Sequence, residues 1–194
     1  MVRTRTFDPS TALTAAVDLF TSKGYSDTSM EDLVQATGVS RYGLYGTFGN
    51  KRELFEQALE RYADNIGRRS FLRLLEPGAS LDDIRTLFAE RIGDMCSVDG
   101  RKGCLFIHTA MELAPKDKDL QDVLGKFMKR ISKTFTIGLE SARAQGQLRE
   151  DLDLKAAGDM LTGTMFGLGV LGRSGFSRES LAAIVDSTVR SLEA

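Results

Sequence analysis

Between Thr28 and Phe48 the sequence permits little besides two short helices joined by a tight turn. Met30, Leu33 and Val34 recur at helical spacing, and Leu44 with Phe48 takes the spacing up again beyond the turn. Thr37-Gly38-Val39-Ser40 lies between them. Gly38 relieves backbone strain at the bend, Val39 is an apolar plug, and Ser40 can cap a third helix over residues 41–47. Thr28 and Glu31 form a candidate capping box for the helix over 29–37. A preceding helix over residues 9–22 has Asp8 as cap, Pro9 at its first position and Gly24 as its stop. Three helices of these lengths, with a glycine turn between the second and third, have the pattern of a helix-turn-helix.

The remainder reads as helix as well. Asn50 and Glu53 can open a fourth helix with a stripe of Leu54, Phe55, Ala58, Leu59, Tyr62 and Ile66. Pro77 and Gly78 mark a break, after which Ser80 and Asp83 can cap a helix that Asp99 and Gly100 interrupt. Further helices are expected over 103–114, 118–145, 154–171 and 179–192, the last capped by Ser177 with Phe176 stapled on Leu181. The segment 154–171 is apolar over a broader arc than one core face needs. A two-helix contribution from each of two copies, forming a four-helix bundle, would bury the excess. The expected fold is therefore all-α, with a helix-turn-helix module over residues 1–50 and a larger helical domain for effector binding and dimerisation over 51–194.

Charge narrows the function without deciding it. The formal net charge is −1, so a uniformly basic surface is excluded. Residues 1–52 carry six basic side chains against five acidic ones. Any nucleic-acid affinity must come from arrangement and from doubling of the module. Cys96 and Cys104 make neither a disulfide scaffold nor a spaced metal motif. Met1 to Asp8 is polar, and no apolar run is long enough for a bilayer, which predicts a cytoplasmic protein without a membrane partner. No cofactor, metal or catalytic group is expected.

The first 62 residues resemble the TetR family of bacterial transcriptional regulators. The resemblance rests on Ala15-Ala16-Val17-Asp18-Leu19-Phe20, Lys23-Gly24-Tyr25, Thr28-Ser29-Met30-Glu31-Asp32-Leu33 and Thr37-Gly38-Val39-Ser40. It continues through Leu44-Tyr45, Thr47-Phe48, Lys51 and Glu53-Leu54-Phe55. More loosely, Gly103-Cys104-Leu105 resembles the opening of the sixth helix in one subgroup. The resemblance implies a homodimer joined through its last two helices, a pseudo-palindromic double-stranded DNA operator, and a small-molecule effector that releases a repressor.

It also implies a set of DNA contacts. Tyr45 resembles the family tyrosine that gives its hydroxyl to a backbone phosphate, a role suited to a ring that packs while its hydroxyl stays wet. Lys51 matches a family lysine at the start of the fourth helix, where a phosphate would offset the positive end of the helix dipole. Thr47 stands where the family often has a phosphate-contacting histidine. Thr28 and Ser29 open a helix whose free N–H groups suit phosphate. Arg41 and Tyr42 open the third helix and are the expected base readers, since arginine can bridge guanine O6 and N7. Gly43 and Gly46 offer no side chain for readout and would permit close approach to the sugar-phosphate chain. Arg3 and Arg5 form a basic tail with reach toward a neighbouring phosphate or the minor groove.

The effector is expected between the fifth and eighth helices. The expected liners are Met95, Cys104, Ile107, His108, Met111, Phe127, Met165 and Phe166, with Cys96 a weaker candidate; any of them is equally suited to plain core packing. His108 and Glu112 lie one turn apart and can orient each other. Cys104 is expected two positions into a helix, where N–H groups and nearby Arg101 or Lys102 would favour a thiolate, so a thiol-based redox or electrophile sensor is the alternative reading. A small helical enzyme using Cys104 and His108 has no third oriented group to support it.

Overall fold

The computed structural model describes residues 7–97 and 103–194, with the backbone alone for residues 66–70. Nine α-helices are found among the described residues: α1 (Pro9–Lys23), α2 (Met30–Thr37), α3 (Arg41–Phe48), α4 (Lys51–Ser70), α5 (Leu81–Cys96), α6 (Leu105–Glu112), α7 (Lys118–Ala144), α8 (Leu154–Arg173) and α9 (Arg178–Arg190). Short 3-10 turns at Leu72–Leu75 and Ala114–Lys116 punctuate the connections. The expected basic tail of Arg3 and Arg5, the interruption at Asp99 and Gly100, and the cations Arg101 and Lys102 lie outside the described residues, as does the side chain of Ile66.

Capping sets the starts of most helices. Asp8 accepts from the amides of Ser10 and Thr11, and Asn50 with Glu53 and Ser80 with Asp83 form reciprocal capping boxes. The box on α2 is shifted by one residue from the expected Thr28–Glu31 pair. Ser29 is the cap, and Asp32 is its partner. Thr28 is withdrawn because its hydroxyl donates to the Gly24 carbonyl at 2.6 Å and the residue is buried. Gly38 ends α2 at φ 68°, the left-handed conformation that glycine adopts without penalty. Helix α6 starts later than expected: Cys104 is its extended N-cap residue, with no side-chain capping bond.

The apolar faces merge into one continuous core running from Ala12 to Leu192. At the N-terminal end, Phe20 of α1 meets Phe55 of α4 edge-on at 5.0 Å, and Tyr25 from the α1–α2 turn closes on Phe55 at 4.8 Å. Val39, Leu44 and Phe48 plug α3 onto this cluster. Further along, Phe106 of α6 stacks on Phe127 of α7 at 3.8 Å, and Phe135 is held between Phe71 and Phe88. Phe20, Phe55, Phe88, Phe106 and Phe135 are all fully buried, and each would cost about 3–5 kcal/mol to truncate to alanine. Helices α7 and α8 pack lengthwise: Gly158 of α8 lies so close to α7 that an added Cβ would come within 2.8 Å of the Ser132 carbonyl. No helix among the described residues is long and apolar enough to cross a membrane.

Candidate DNA interface and effector cavity

Helix α3 turns Leu44 and Phe48 inward, which leaves Arg41, Tyr42 and Tyr45 on its outer face. Tyr42 is 79% exposed and Tyr45 46% exposed, so both rings project where packing does not require them. The two glycines of α3 divide their roles. A Cβ on Gly43 would lie 2.8 Å from Val39 Cγ1, so Gly43 serves the packing of α3 on its own turn. Gly46 faces open space and leaves the outer face smooth beside Tyr42 and Tyr45. Arg41 is paired with Glu31 of α2 across the surface, both side chains being more than half exposed.

The remaining expected DNA contacts are placed unevenly. Ser29 is exposed, and its hydroxyl donates to Asp32 at 2.7 Å. Asp32 also takes a 2.7 Å ion pair from Lys23, which together with the Ser29 bonds holds its carboxyl far below the usual range. Thr28, 1% exposed and bonded to Gly24, brings no hydroxyl to this surface. Thr47 is half-buried at the far end of α3. Lys51 lies with its Nζ 4.2 Å over the Tyr25 ring. Burial holds it below an ordinary lysine, although Glu112, Asp27 and Asp32 favour its charge.

Within the larger domain, a cavity of about 420 Å³ opens between α5, the start of α6 and the end of α8. Arg91, Met95, Cys104 and Arg173 line it, and Gly103, Gly169, Gly172 and Gly175 complete the wall. A second space of only about 20 Å³ shares Met95 and Cys104 with it and is closed by Ile107, Phe127, Met165 and Phe166. Six of the expected liners thus meet in one place: Met95, Cys104, Ile107, Phe127, Met165 and Phe166. Met111 does not join them. It is 78% exposed, because α6 directs Leu105, Phe106 and Thr109 to the core and Met111 falls on the opposite side. Cys96 is exposed at the end of α5. Partly buried beside Cys104, the Tyr62 phenol has its pKa pushed well up, first by loss of solvent and then by its contact with Cys104.

His108 stands at the rim. Its Nε2 is 2.7 Å from an Arg173 guanidinium nitrogen. Arginine cannot accept a hydrogen bond, so Nε2 accepts and the imidazole is neutral with its proton on Nδ1. Burial and the Arg173 charge lower the pKa of His108, in agreement with that assignment. Glu112 is not the hydrogen-bond partner of His108 that the spacing suggested. Its carboxylate accepts the backbone N–H of Ser26 at 2.7 Å and of Tyr25 at 3.3 Å. Burial pushes the Glu112 pKa up, but a bond from the Ser26 side chain, the two amide bonds and nearby His108 outweigh it and the net shift is downward. Helix α6 is therefore attached directly to the α1–α2 turn of the helix-turn-helix. Nothing in the sequence marks this contact, because its partners are two main-chain amides and one serine side chain more than 80 residues away. Arg52 provides a second junction, joining the first turn of α4 to Asp117 at the start of α7.

This arrangement has counterparts. Residues 12–58 match the bacterial regulatory proteins of the tetR family, and residues 80–191 match a tetracyclin repressor-like C-terminal domain. The chain is 30% identical over 194 residues to the uncharacterized HTH-type transcriptional regulator YezE of Bacillus subtilis (strain 168), covering 100% of both chains. It is 30% identical to the HTH-type transcriptional repressor ComR of Escherichia coli (strain K12), covering 97% of this chain and 90% of that one. Among solved structures, the TetR family transcriptional regulator CifR, as a cysteine mutant complexed with 26-bp operator DNA, superposes with a TM-score of 0.87. That likeness comes at 28% identity and covers 98% of this chain and 99% of CifR.

Proposed function

The chain belongs to the TetR family of bacterial transcriptional regulators, and from that premise we propose that it is a dimeric repressor released from its operator by a small molecule bound in the α5–α8 cavity. The observation that carries the reading is the direct attachment of cavity-lining α6 to the DNA module through Glu112. A ligand that moves α6 moves the α1–α2 turn with it, and α2 carries α3.

Arg41, Tyr42 and Tyr45 are the reading face of α3, with Ser29, Thr47 and Lys51 beside it. Arg41 exchanges Glu31 for DNA at small cost, because an exposed pair of this kind contributes little. The second copy docks on α8 and α9. Met160 and Val170 are exposed on α8, and between them Gly163 and Gly167 face open space, which lets another helix approach closely. Such a dimer holds its two α3 helices about one helical turn of DNA apart, roughly 35 Å. A change in that separation ends simultaneous engagement, and DNA must weaken effector binding by the same factor.

Selection of bound sequences from random double-stranded DNA by the purified protein tests the reading. A pseudo-palindrome with half-sites about one turn apart is expected. A folded dimer that enriches no such site at low salt would rule the reading out.

A further inference from the structure

The outer face of α7 carries an unbalanced charge. Over residues 123–139 it has four cations, Lys126, Lys129, Arg130 and Lys133, and no acid. All four are exposed, and none has an ion-pair partner among the described residues. The stripe borders an opening in the fold. Arg52 and Asp117 join the starts of α4 and α7, but beyond that joint the two helices part and leave a cleft of about 290 Å³ between them.

The cleft is apolar within and charged at its edge. Its floor is Leu59 of α4, Phe106 of α6 and Phe127 of α7, all buried in the core beneath it. Ala63, with a single methyl, keeps the α4 wall thin, and Val123 leaves apolar surface 43% exposed on the α7 side. At the α7 edge Lys126 and Arg130 stand one turn apart, with the Arg130 guanidinium 5.4 Å over the Phe127 ring. Glu60 is the one carboxylate on the wall among the described residues, and it is exposed on the α4 side. Two cations against one carboxylate leave the edge positive. From Val123 to Arg130 the lining runs about 10 Å along α7, so the cleft is long and narrow.

We propose that this cleft binds a single-chain anionic amphiphile, an alkyl carboxylate whose chain lies over Phe106 and Phe127 and whose head is held by Lys126 and Arg130. The guanidinium fork of Arg130 fits a carboxylate, and the Lys126 stem can lie on apolar surface while its charge stays in water. The volume is near the small end of the range for ligand pockets, about 300–1,000 Å³, and admits one alkyl chain but not two. Its length matches the extended chain of octanoate. The occupant stands between α4 and α7 beyond the point where Arg52 and Asp117 pin them, so it levers α4, which continues into the DNA module. No lining residue is shared with the 420 Å³ cavity, so the site stands whether or not that cavity holds the effector.

Isothermal titration of the full-length protein with octanoate below its micelle concentration, with 1-octanol and with acetate reads the inference directly. Octanoate binds about tenfold or more tightly than 1-octanol, and acetate, which has the head without the chain, gives no measurable binding. Lys126→Gln combined with Arg130→Gln brings that preference to about twofold or less. Lys129→Gln combined with Lys133→Gln removes the same charge from the same helix outside the cleft and leaves the preference unchanged. Both double variants keep the wild-type melting temperature, since all four side chains are exposed. Ala63→Phe fills the cleft and abolishes binding of octanoate and 1-octanol alike. If octanoate is not preferred over 1-octanol, if the preference survives the Lys126 and Arg130 changes, or if the Lys129 and Lys133 changes lower it as much, the assignment is wrong. Operator affinity is measured in parallel and falls about tenfold or more in saturating octanoate. Octanoate that binds through Lys126 and Arg130 but leaves DNA bound upholds the site and overturns the lever.

Discussion

At the scale of single residues, Tyr45 and His108 show how one side chain can be constrained from opposite directions. Tyr45 is nearly half exposed although its neighbours Leu44 and Phe48 are buried, so its hydroxyl is free for a phosphate. Tyr45→Phe should weaken operator binding about 2- to 10-fold by fluorescence anisotropy with the melting temperature unchanged; unaltered affinity would remove the hydroxyl from the interface. His108 is held neutral, with burial first and Arg173 second lowering its pKa from the ordinary 6.5. The unfolded chain therefore takes up this proton before the folded one does. The stability His108 contributes is complete above its unfolded pKa and is lost as the pH falls through 6.5 toward the folded value. Melting temperature should accordingly fall between about pH 7.5 and about pH 5.5. His108→Gln, which keeps an acceptor for Arg173 but cannot titrate, should flatten that slope; an identical slope in the variant would assign it to other groups.

At the scale of elements, α3 separates packing from recognition within eight residues. Gly43→Ala drives a methyl into Val39 and should destabilise the protein by about 1–3 kcal/mol. Gly46→Ala meets nothing and should stabilise α3 by up to about 1 kcal/mol, yet it roughens the face proposed to meet DNA. Thermal melts and operator titrations of the two variants should therefore move in opposite senses: one less stable, the other more stable but weaker in binding. A Gly46→Ala protein that binds DNA as well as the wild type would exclude close approach at that point. The element boundaries themselves were largely legible, because caps such as Asp8, Asn50 and Ser80 act on amides two or three residues away. The slip at α2 arose because Thr28-x-x-Glu31 and Ser29-x-x-Asp32 both satisfy the capping pattern. Only the carbonyl of Gly24, which takes the Thr28 hydroxyl, breaks the tie. In the cavity, periodicity identified apolar residues but not their direction, so Met111 was grouped with side chains from which α6 turns it away. That Arg91 and Arg173 both line the cavity is likewise invisible in sequence, since two residues on separate helices have no spacing to be recognised by.

At the scale of the whole molecule, the near-neutral DNA module makes dimerisation decisive, because one copy has little charge with which to hold DNA. Gly163→Arg starts a large cation from a point on α8 where an added Cβ meets nothing within 4 Å. Sedimentation should show a folded monomer, and operator affinity should fall about 100-fold or more as the two half-sites lose their linkage. A Gly163→Arg protein that stays dimeric would place the interface elsewhere. The junction between the two halves carries a different consequence. Glu112 holds Tyr25 and Ser26 by their amide hydrogens, and the Ser26 side chain adds a bond of its own. The amide part of this joint asks only that neither position be proline, which has no amide hydrogen to give, whereas the Ser26 side chain and the Tyr25 ring tie the rest of it to these two residues. A different DNA module set beneath the same sensing domain would therefore keep the amide bonds of this fitting, and would keep all of it only with a hydroxyl at position 26 and an arginine at position 52.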